Sequence, residues 1–227
     1  MLKTPFLFVI LVWTVLHLLP EGLRTSDIAH HFSFDEWPGW HDDLINAKSE
    51  IEIDIAYDSI SSSPTSLVNM SPTNWVSGKR YTALSFSSAE DQFVDVGVDL
   101  ATQLGSSSSL SVWIKTSTIG GIFPDAGITG SKNGIMWGWI DISGRICLSV
   151  HSVVIVTSTS PINNNEWHHV VLSRDSDTGL AVVYVDGQLE GESYGPVGMI
   201  TEGTYTLYTR YTLYTLYTLY TLYTLYT

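Results

Sequence analysis

The stretch that most constrains this chain runs from Asn163 to Glu192 and reads NNNEWHHVVLSRDSDTGLAVVYVDGQLEGE. Trp167 to Leu172 is an apolar, β-branched run, and Asp175 to Gly179 is a cluster of turn formers. Ala181 to Val185 is a second apolar run, which Asp186-Gly187 turns into Gln188 to Glu192. Val, Tyr and Trp suit a pleated, half-buried surface, and Asp-Gly supplies the two positive-φ residues that a tight hairpin needs. The spacing predicts three antiparallel strands in succession.

The same signature recurs on the N-terminal side. Ile135 to Ile140 and Arg145 to Val150 flank Asp141-Ile142-Ser143-Gly144, a hairpin turn with glycine where φ > 0 is wanted. Val153 to Thr157 is a further run, closed by Pro161 and the asparagines at 163–165. Tyr81 to Phe86 and Phe93 to Val96 read as strands separated by the polar Ser87 to Asp91. Ser106 to Ser109 leads into Leu110, Val112 and Ile114, with Trp113 on the opposite side of that strand. Glu50 to Tyr57 alternates, with Ile51, Ile53, Ile55 and Tyr57 one way and Glu50, Glu52, Asp54 and Ala56 the other, which predicts a half-buried strand. His31 to Phe34 is a short strand candidate, broken by Trp37-Pro38-Gly39-Trp40. Ser59 to Pro72, rich in Ser, Pro and Asn, reads as a surface loop. No stretch after residue 26 sustains a 3.6-residue apolar period, so the expected class is all-β, a sandwich or barrel.

Composition narrows the function classes. At 227 residues the chain is long enough for one sizeable core or two small ones. A net charge of −13 would repel a phosphate backbone, so nucleic acid is not expected as a partner. The hydrophobic fraction of 44% excludes a wholly disordered chain, and a single cysteine, Cys147, excludes a disulfide framework within it. At the N-terminus Lys3 precedes an apolar run from Phe6 to Leu19, followed by Pro20, Glu21 and Gly22. That order is a secretory signal peptide over residues 1–22, shorter than the roughly 20 apolar residues of a membrane-spanning helix. The expected address is therefore secreted or extracellular, with membrane contact only through an uncleaved signal anchor. Asn69-Met70-Ser71 is an N-glycosylation sequon, with Pro72 just beyond it.

The ordered series YTALSFSSAEDQFVDVG, LSVWIKTS, GWIDISGRICLSV and NEWHHVVLSRDSDTGLAVVYVDGQLEGE resembles the laminin-G-like, concanavalin-A-like lectin and glucanase domains, and SFDE at Ser33 to Glu36 resembles that family's opening strand. The resemblance implies a two-sheet antiparallel jelly-roll sandwich over residues 27–200. It also implies a secreted or cell-surface, non-enzymatic recognition module for a glycan or an extracellular matrix protein. Rim calcium is common in such domains, and Asp35 is the one position carried over as a calcium contact, against the ordinary reading of an Asp in a strand-to-loop turn.

The sequence departs from the family after the VDG hairpin. Members continue into a Gly-x-Ile-Asp-Glu-Val-like closing strand that pairs back near the first strand. Here residues 194–202 run into TYTLYTRYTLYTLYTLYTLYTLYT, a strict three-residue repeat with Arg210 replacing Leu once. Without the closing strand, two sheet edges are expected to stand open. A period of three sorts leucine to neither face of a strand nor one face of a helix. The 201–227 segment is therefore expected to be an irregular, aggregation-prone tail, arising from an expanded coding repeat or a faulty gene end. A chain so ended, with no binding function, is the alternative to the recognition module.

Catalytic constellations are incomplete. Glu52 and Asp54 share a strand face, as the carboxylates of retaining β-glucanases on this architecture do, but the third position is Ala56 or Tyr57 and the next acid is Asp58. Without a third carboxylate there is no proton donor for the leaving oxygen. Hydrolysis of glycosides is thus a distant alternative, and a solvated acidic strand face is the ordinary reading. His168-His169 point to opposite faces of their strand and cannot chelate one ion by themselves, and the same holds for His30-His31. Cys147, between Ile146 and Leu148, reads as a small buried residue. Trp37, Trp40, Trp137 and Trp139 are candidates for stacking on sugar rings, weighed against core or rim packing.

Overall fold

The computed structural model describes residues 28–32, 55–57, 64–79, 82–95, 104–123, 134–200, 207–208 and 216–226. These residues form sixteen strands, numbered in chain order. They are β1 (Ile28–Phe32), β2 (Ile55–Tyr57), β3 (Pro64–Val68), β4 (Trp75–Ser77), β5 (Thr82–Ser87), β6 (Phe93–Asp95), β7 (Ser108–Lys115) and β8 (Gly120–Phe123). The rest are β9 (Ile135–Ile140), β10 (Arg145–Val150), β11 (Val153–Pro161), β12 (Trp167–Arg174), β13 (Leu180–Val185), β14 (Gln188–Tyr194), β15 (Leu207–Tyr208) and β16 (Leu216–Tyr226). Every pairing among them is antiparallel. The largest sheet runs β14-β13-β12-β7-β16-β5-β4, with β1 also on β16. A second runs β11-β10-β9-β8 and a third β15-β6-β3-β2. The multiple antiparallel sheets are those of a jelly-roll sandwich.

Alternation decides what each strand buries. On β7, Leu110, Val112 and Ile114 are buried in the core, and Val170 and Leu172 of β12 lie beside Val112 and Leu110 in register. Ala181, Val183 and Val185 of β13 continue that face, and Trp137, Ile146 and Leu148 of the second sheet join the same core. Fully burying one such aliphatic side chain contributes about 1.5–3 kcal/mol. The edges of the first two sheets meet where β14 passes β11: a Cβ added at Gly191 would sit 2.6 Å from the Thr157 carbonyl oxygen, so this approach requires glycine. Arg174, also buried, donates from Nη2 to the carbonyls of Pro196 (2.9 Å) and Gly198 (2.8 Å) and from Nη1 to Gly105 (3.4 Å), tying the segment after β14 to the turn before β7.

Two turns fold as the sequence dictates. Asp186 and Gly187 take φ 51° and 81° between paired Val185 and Gln188, a two-residue hairpin loop. Gly144 takes φ 78°, and Asp141 organises its hairpin by accepting from Ser143 N–H (2.8 Å), Arg145 N–H (3.0 Å) and the Arg145 guanidinium (2.9 Å). Burial pushes the Asp141 carboxyl up, but the Arg145 and Ser143 donors outweigh it and hold it below the ordinary carboxylate range.

Two expectations change, and a third is met in the part the structure describes. Ser59 to Pro72 is not all loop: β3 forms within it, pairs with β2 and β6 and buries Leu67, because tertiary pairing overrides a turn-rich composition. Of the short strand expected at His31 to Phe34, His31 and Phe32 lie in β1, which begins at Ile28, and Ser33 and Phe34 lie outside the described residues. The edges left by the missing closing strand are not open. Repeat residues Leu216–Tyr226 form β16 between β7 and β5 and pair back onto β1, Ile28 opposite Leu225. The repeat thus takes the place beside β1 that the resemblance reserves for a closing strand, and a one-residue irregularity between Leu219 and Leu222 sets two repeat residues against one of β7.

Candidate functional site: the polar face of the large sheet

The face of β7, β12 and β13 opposite the core carries a different chemistry. Ser109, Ser111, Trp113 and Lys115 occupy it on β7, His169, Val171 and Ser173 on β12, and Val182 and Tyr184 on β13. Register sets Trp113 opposite His169, Ser111 opposite Val171 and Ser109 opposite Ser173. The Ser109 hydroxyl donates to Ser173 Oγ at 2.7 Å, and Ser111 Oγ lies 2.9 Å from His169 Nε2. The His169 ring lies 5.1 Å from the Trp113 ring, tilted 35°. Exposed Lys79 holds Nζ 5.2 Å from the Trp113 ring centroid, a cation–π contact.

Burial is graded across this face. Ser109, Ser111, Val171 and His169 are buried, while Trp113, Lys115, Ser173 and Tyr184 are half-buried. Burial lowers His169 to a pKa of about 4, partly offset by the nearby Asp186 carboxylate, so the ring is neutral at pH 7 and can accept or donate one hydrogen bond at Nε2. Tyr184 is raised, by burial first and then by Glu192, and stays a neutral phenol.

The Ser111–His169 pair invites comparison with a nucleophile and its base. The third member is otherwise engaged. Asp186 Oδ1 accepts the His169 backbone N–H at 2.9 Å, and Asp186 Oδ2 lies 2.8 Å from His168 Nδ1, not against the His169 ring. His168 Nε2 lies 3.0 Å from Asn164 Oδ1. The carboxylate serves the other histidine and the hairpin turn, and Ser111 Oγ is sealed from solvent. The two adjacent histidines thus lie on opposite faces, each with its own partners, as alternation requires.

The other sequence candidates fall as follows. Trp137 is 0% exposed in the core, and its indole N–H has no acceptor among the described residues. Trp139, on the other face of β9, is half-buried. Cys147 is buried, donates to the Trp139 carbonyl at 3.0 Å and has its thiol pushed up to about 11, mainly by burial, which keeps it protonated and unreactive at neutral pH. Asn69 is exposed after β3 with φ 56°, and its Nδ2 donates to the Asp91 carbonyl at 3.1 Å. Asp35, Trp37, Trp40, Glu52, Asp54, Asp58 and residues 1–22, where a signal peptide is expected, lie outside the described residues. Among the described residues no three His, Cys, Asp or Glu side chains gather where they could hold a metal ion. Among the same residues no helix is long and apolar enough to cross a membrane.

Trp113 was readable as lying opposite Leu110, Val112 and Ile114. Its company was not: Lys79 and His169 reach it from distant parts of the chain. The Ser-x-Ser-x-Trp alternation of β7 is the signal that could have singled out this face.

The sequence profile of the laminin G type described as the concanavalin A-like lectin/glucanases superfamily matches residues 88–212, more than half of the chain. The chain belongs to this superfamily. No curated protein matches the lectin/glucanase-like chain in sequence. Solved structures match it in fold. The sialidase of Trypanosoma rangeli, solved with sialic acid, aligns over 90% of this chain at 13% identity and TM-score 0.55. The chain spans about a third of that sialidase, covering 31% of it. Domain 4 of AbnA, a GH43 extracellular arabinanase from Geobacillus stearothermophilus solved with arabinotriose, aligns over 88% of this chain and 92% of its own, at 16% identity and TM-score 0.52. At these identities the likeness is one of fold.

Proposed function

We propose that this lectin/glucanase-like chain is a non-enzymatic recognition module that binds a glycan or an extracellular matrix protein outside the cell. The observation that carries the reading is Trp113: a half-buried indole with the Lys79 ammonium and the neutral His169 ring near it, on the same strand face as half-buried Lys115. An aromatic face stacks on the C–H faces of a sugar ring, while nearby ammonium and hydroxyl groups hydrogen-bond its hydroxyls. The arabinotriose held by the Geobacillus domain supports a carbohydrate ligand in the same fold. The Ser111–His169 pair, with no carboxylate bonded to the imidazole among the described residues, and the Glu52/Asp54 pair, with no third acid in the motif, favour binding over cleavage. The leader at 1–22 supplies the export route, Asn69 is the site a glycan would occupy, and Asp35 is the position a rim calcium would use.

The test is retention on a panel of immobilised glycans and matrix proteins, with and without EDTA, and analysis of the eluted sugars. The reading expects specific retention of at least one ligand, with every sugar recovered intact. Release of shortened glycans, or no retention across the panel, would contradict it. EDTA sensitivity decides the calcium part separately.

A further inference from the structure

The strand that fills the centre of the large sheet does not encode its own register. β16 pairs with β7 from Thr218 opposite Lys115 to Tyr226 opposite Ser108, with β5 from Leu216 opposite Ser87 to Leu219 opposite Leu84, and with β1. Its eleven residues read LYTLYTLYTLY, and the same eleven letters stand at 213–223. A slip of three residues therefore presents the neighbouring strands with identical chemistry. Elsewhere in the fold a slip would move a buried set to the wrong face, which is what holds register. The irregularity between Leu219 and Leu222 shows how a period of three meets the strand period of two, by inserting a residue that any other repeat unit could supply equally well.

A second observation points the same way. The repeat is accepted at two places. Leu207–Tyr208 pairs with β6 in the third sheet, with Tyr208 opposite Phe93, and Leu216–Tyr226 pairs in the first, with Tyr217 opposite Phe86. The same Leu-Tyr dipeptide thus stands in two different sheets, its Tyr opposite a phenylalanine in both and its Leu opposite Val94 in one and Ser87 in the other. Backbone hydrogen bonds and register positions that do not distinguish one unit from the next also do not distinguish one molecule's tail from another's.

We propose that the slot between β5 and β7 is a strand-acceptor site, and that a second copy of this chain fills it with its own Leu-Tyr-Thr repeat, giving strand-exchanged oligomers. The exchanged strand makes the same ladders to β5, β7 and β1 as the resident one. Tethering favours the resident tail at low concentration, and exchange grows with protein concentration.

The experiment uses the full chain in a Cys147→Ser background. One preparation carries Lys115→Cys, another Thr218→Cys, positions that stand opposite each other in register. Opposed residues of an antiparallel pair lie about 4.5–5.5 Å apart between Cα atoms, within disulfide reach. The two preparations are mixed at high micromolar concentration, oxidised mildly and run on a non-reducing gel. Exchange predicts a covalent heterodimer about tenfold or more above the homodimers of either preparation alone, and suppressed by excess LYTLYTLYTLY peptide. A control chain carrying both substitutions reports whether the resident pairing forms. Complete internal closure of that control with no heterodimer above background would overturn the proposal. So would failure of both, since the slot would then not hold the repeat.

Discussion

At the scale of single residues the telling group is His169. Its ring is neutral because burial disfavours the imidazolium more than Asp186 favours it, leaving a pKa of about 4 against 6.5 for an unperturbed histidine. Between those values the unfolded chain binds a proton that the folded chain refuses. The stability contributed by neutral His169 is therefore complete above pH 6.5 and is lost as pH falls toward 4. At pH 4.5 the loss relative to pH 7 should be about 2 kcal/mol. Urea unfolding at both pH values, in the parent and in His169→Asn, checks it: the parent should lose about 2 kcal/mol more than the variant. Equal losses would show that His169 does not set the acid sensitivity of the fold. The residue was visible in the sequence as one of an adjacent pair, and alternation assigned the two histidines to opposite faces. Which of them would be buried against a tryptophan, and that Ser111 would meet its ring, depended on β7, more than fifty residues away in sequence.

At the scale of elements, hairpins were the most legible part of the chain. β9 and β10 begin and end where apolar runs and turn residues place them, because local turn chemistry sets those ends. β3 was not legible, since its five residues carry Pro, Thr and Ser and owe their conformation to β2 and β6. β16 was not legible either, because a three-residue period matches no strand template and only the vacant place beside β1, β5 and β7 makes it one. One hairpin is built against its own sequence. Val150 pairs with Val153 across a two-residue loop in which His151 and Ser152 take φ 52° and 63°. Side chains other than Asn, Asp and Gly sit there at a cost of about 1 kcal/mol or more each. Replacing the pair by Asn-Gly keeps the 2.9 Å bond from the backbone N–H of residue 151 to the Gly134 carbonyl and should stabilise the protein by about 1 kcal/mol, read as a rise in melting temperature. A fall would mean that the His151 side chain contributes more than its backbone conformation costs.

At the scale of the whole molecule, one sheet does two jobs. Its inner face closes the core with Leu110, Val112, Val170, Leu172 and Val183, and its other face sets Trp113 beside His169 and within reach of Lys79. The fold class and superfamily were legible because strand order and hairpin chemistry are written locally. The face that would hold a ligand was not, because it is assembled from residues 79, 113 and 169 only after the strands pair. The most direct measurement compares Trp113→Ala with Trp139→Ala on whichever glycan the parent retains, by equilibrium binding, with folding verified by circular dichroism. Trp113→Ala should weaken binding about tenfold or more, an aromatic stacking contact being worth more than about 1 kcal/mol, while Trp139→Ala should leave affinity within about twofold. Unchanged affinity in Trp113→Ala, or a loss confined to Trp139→Ala, would contradict it.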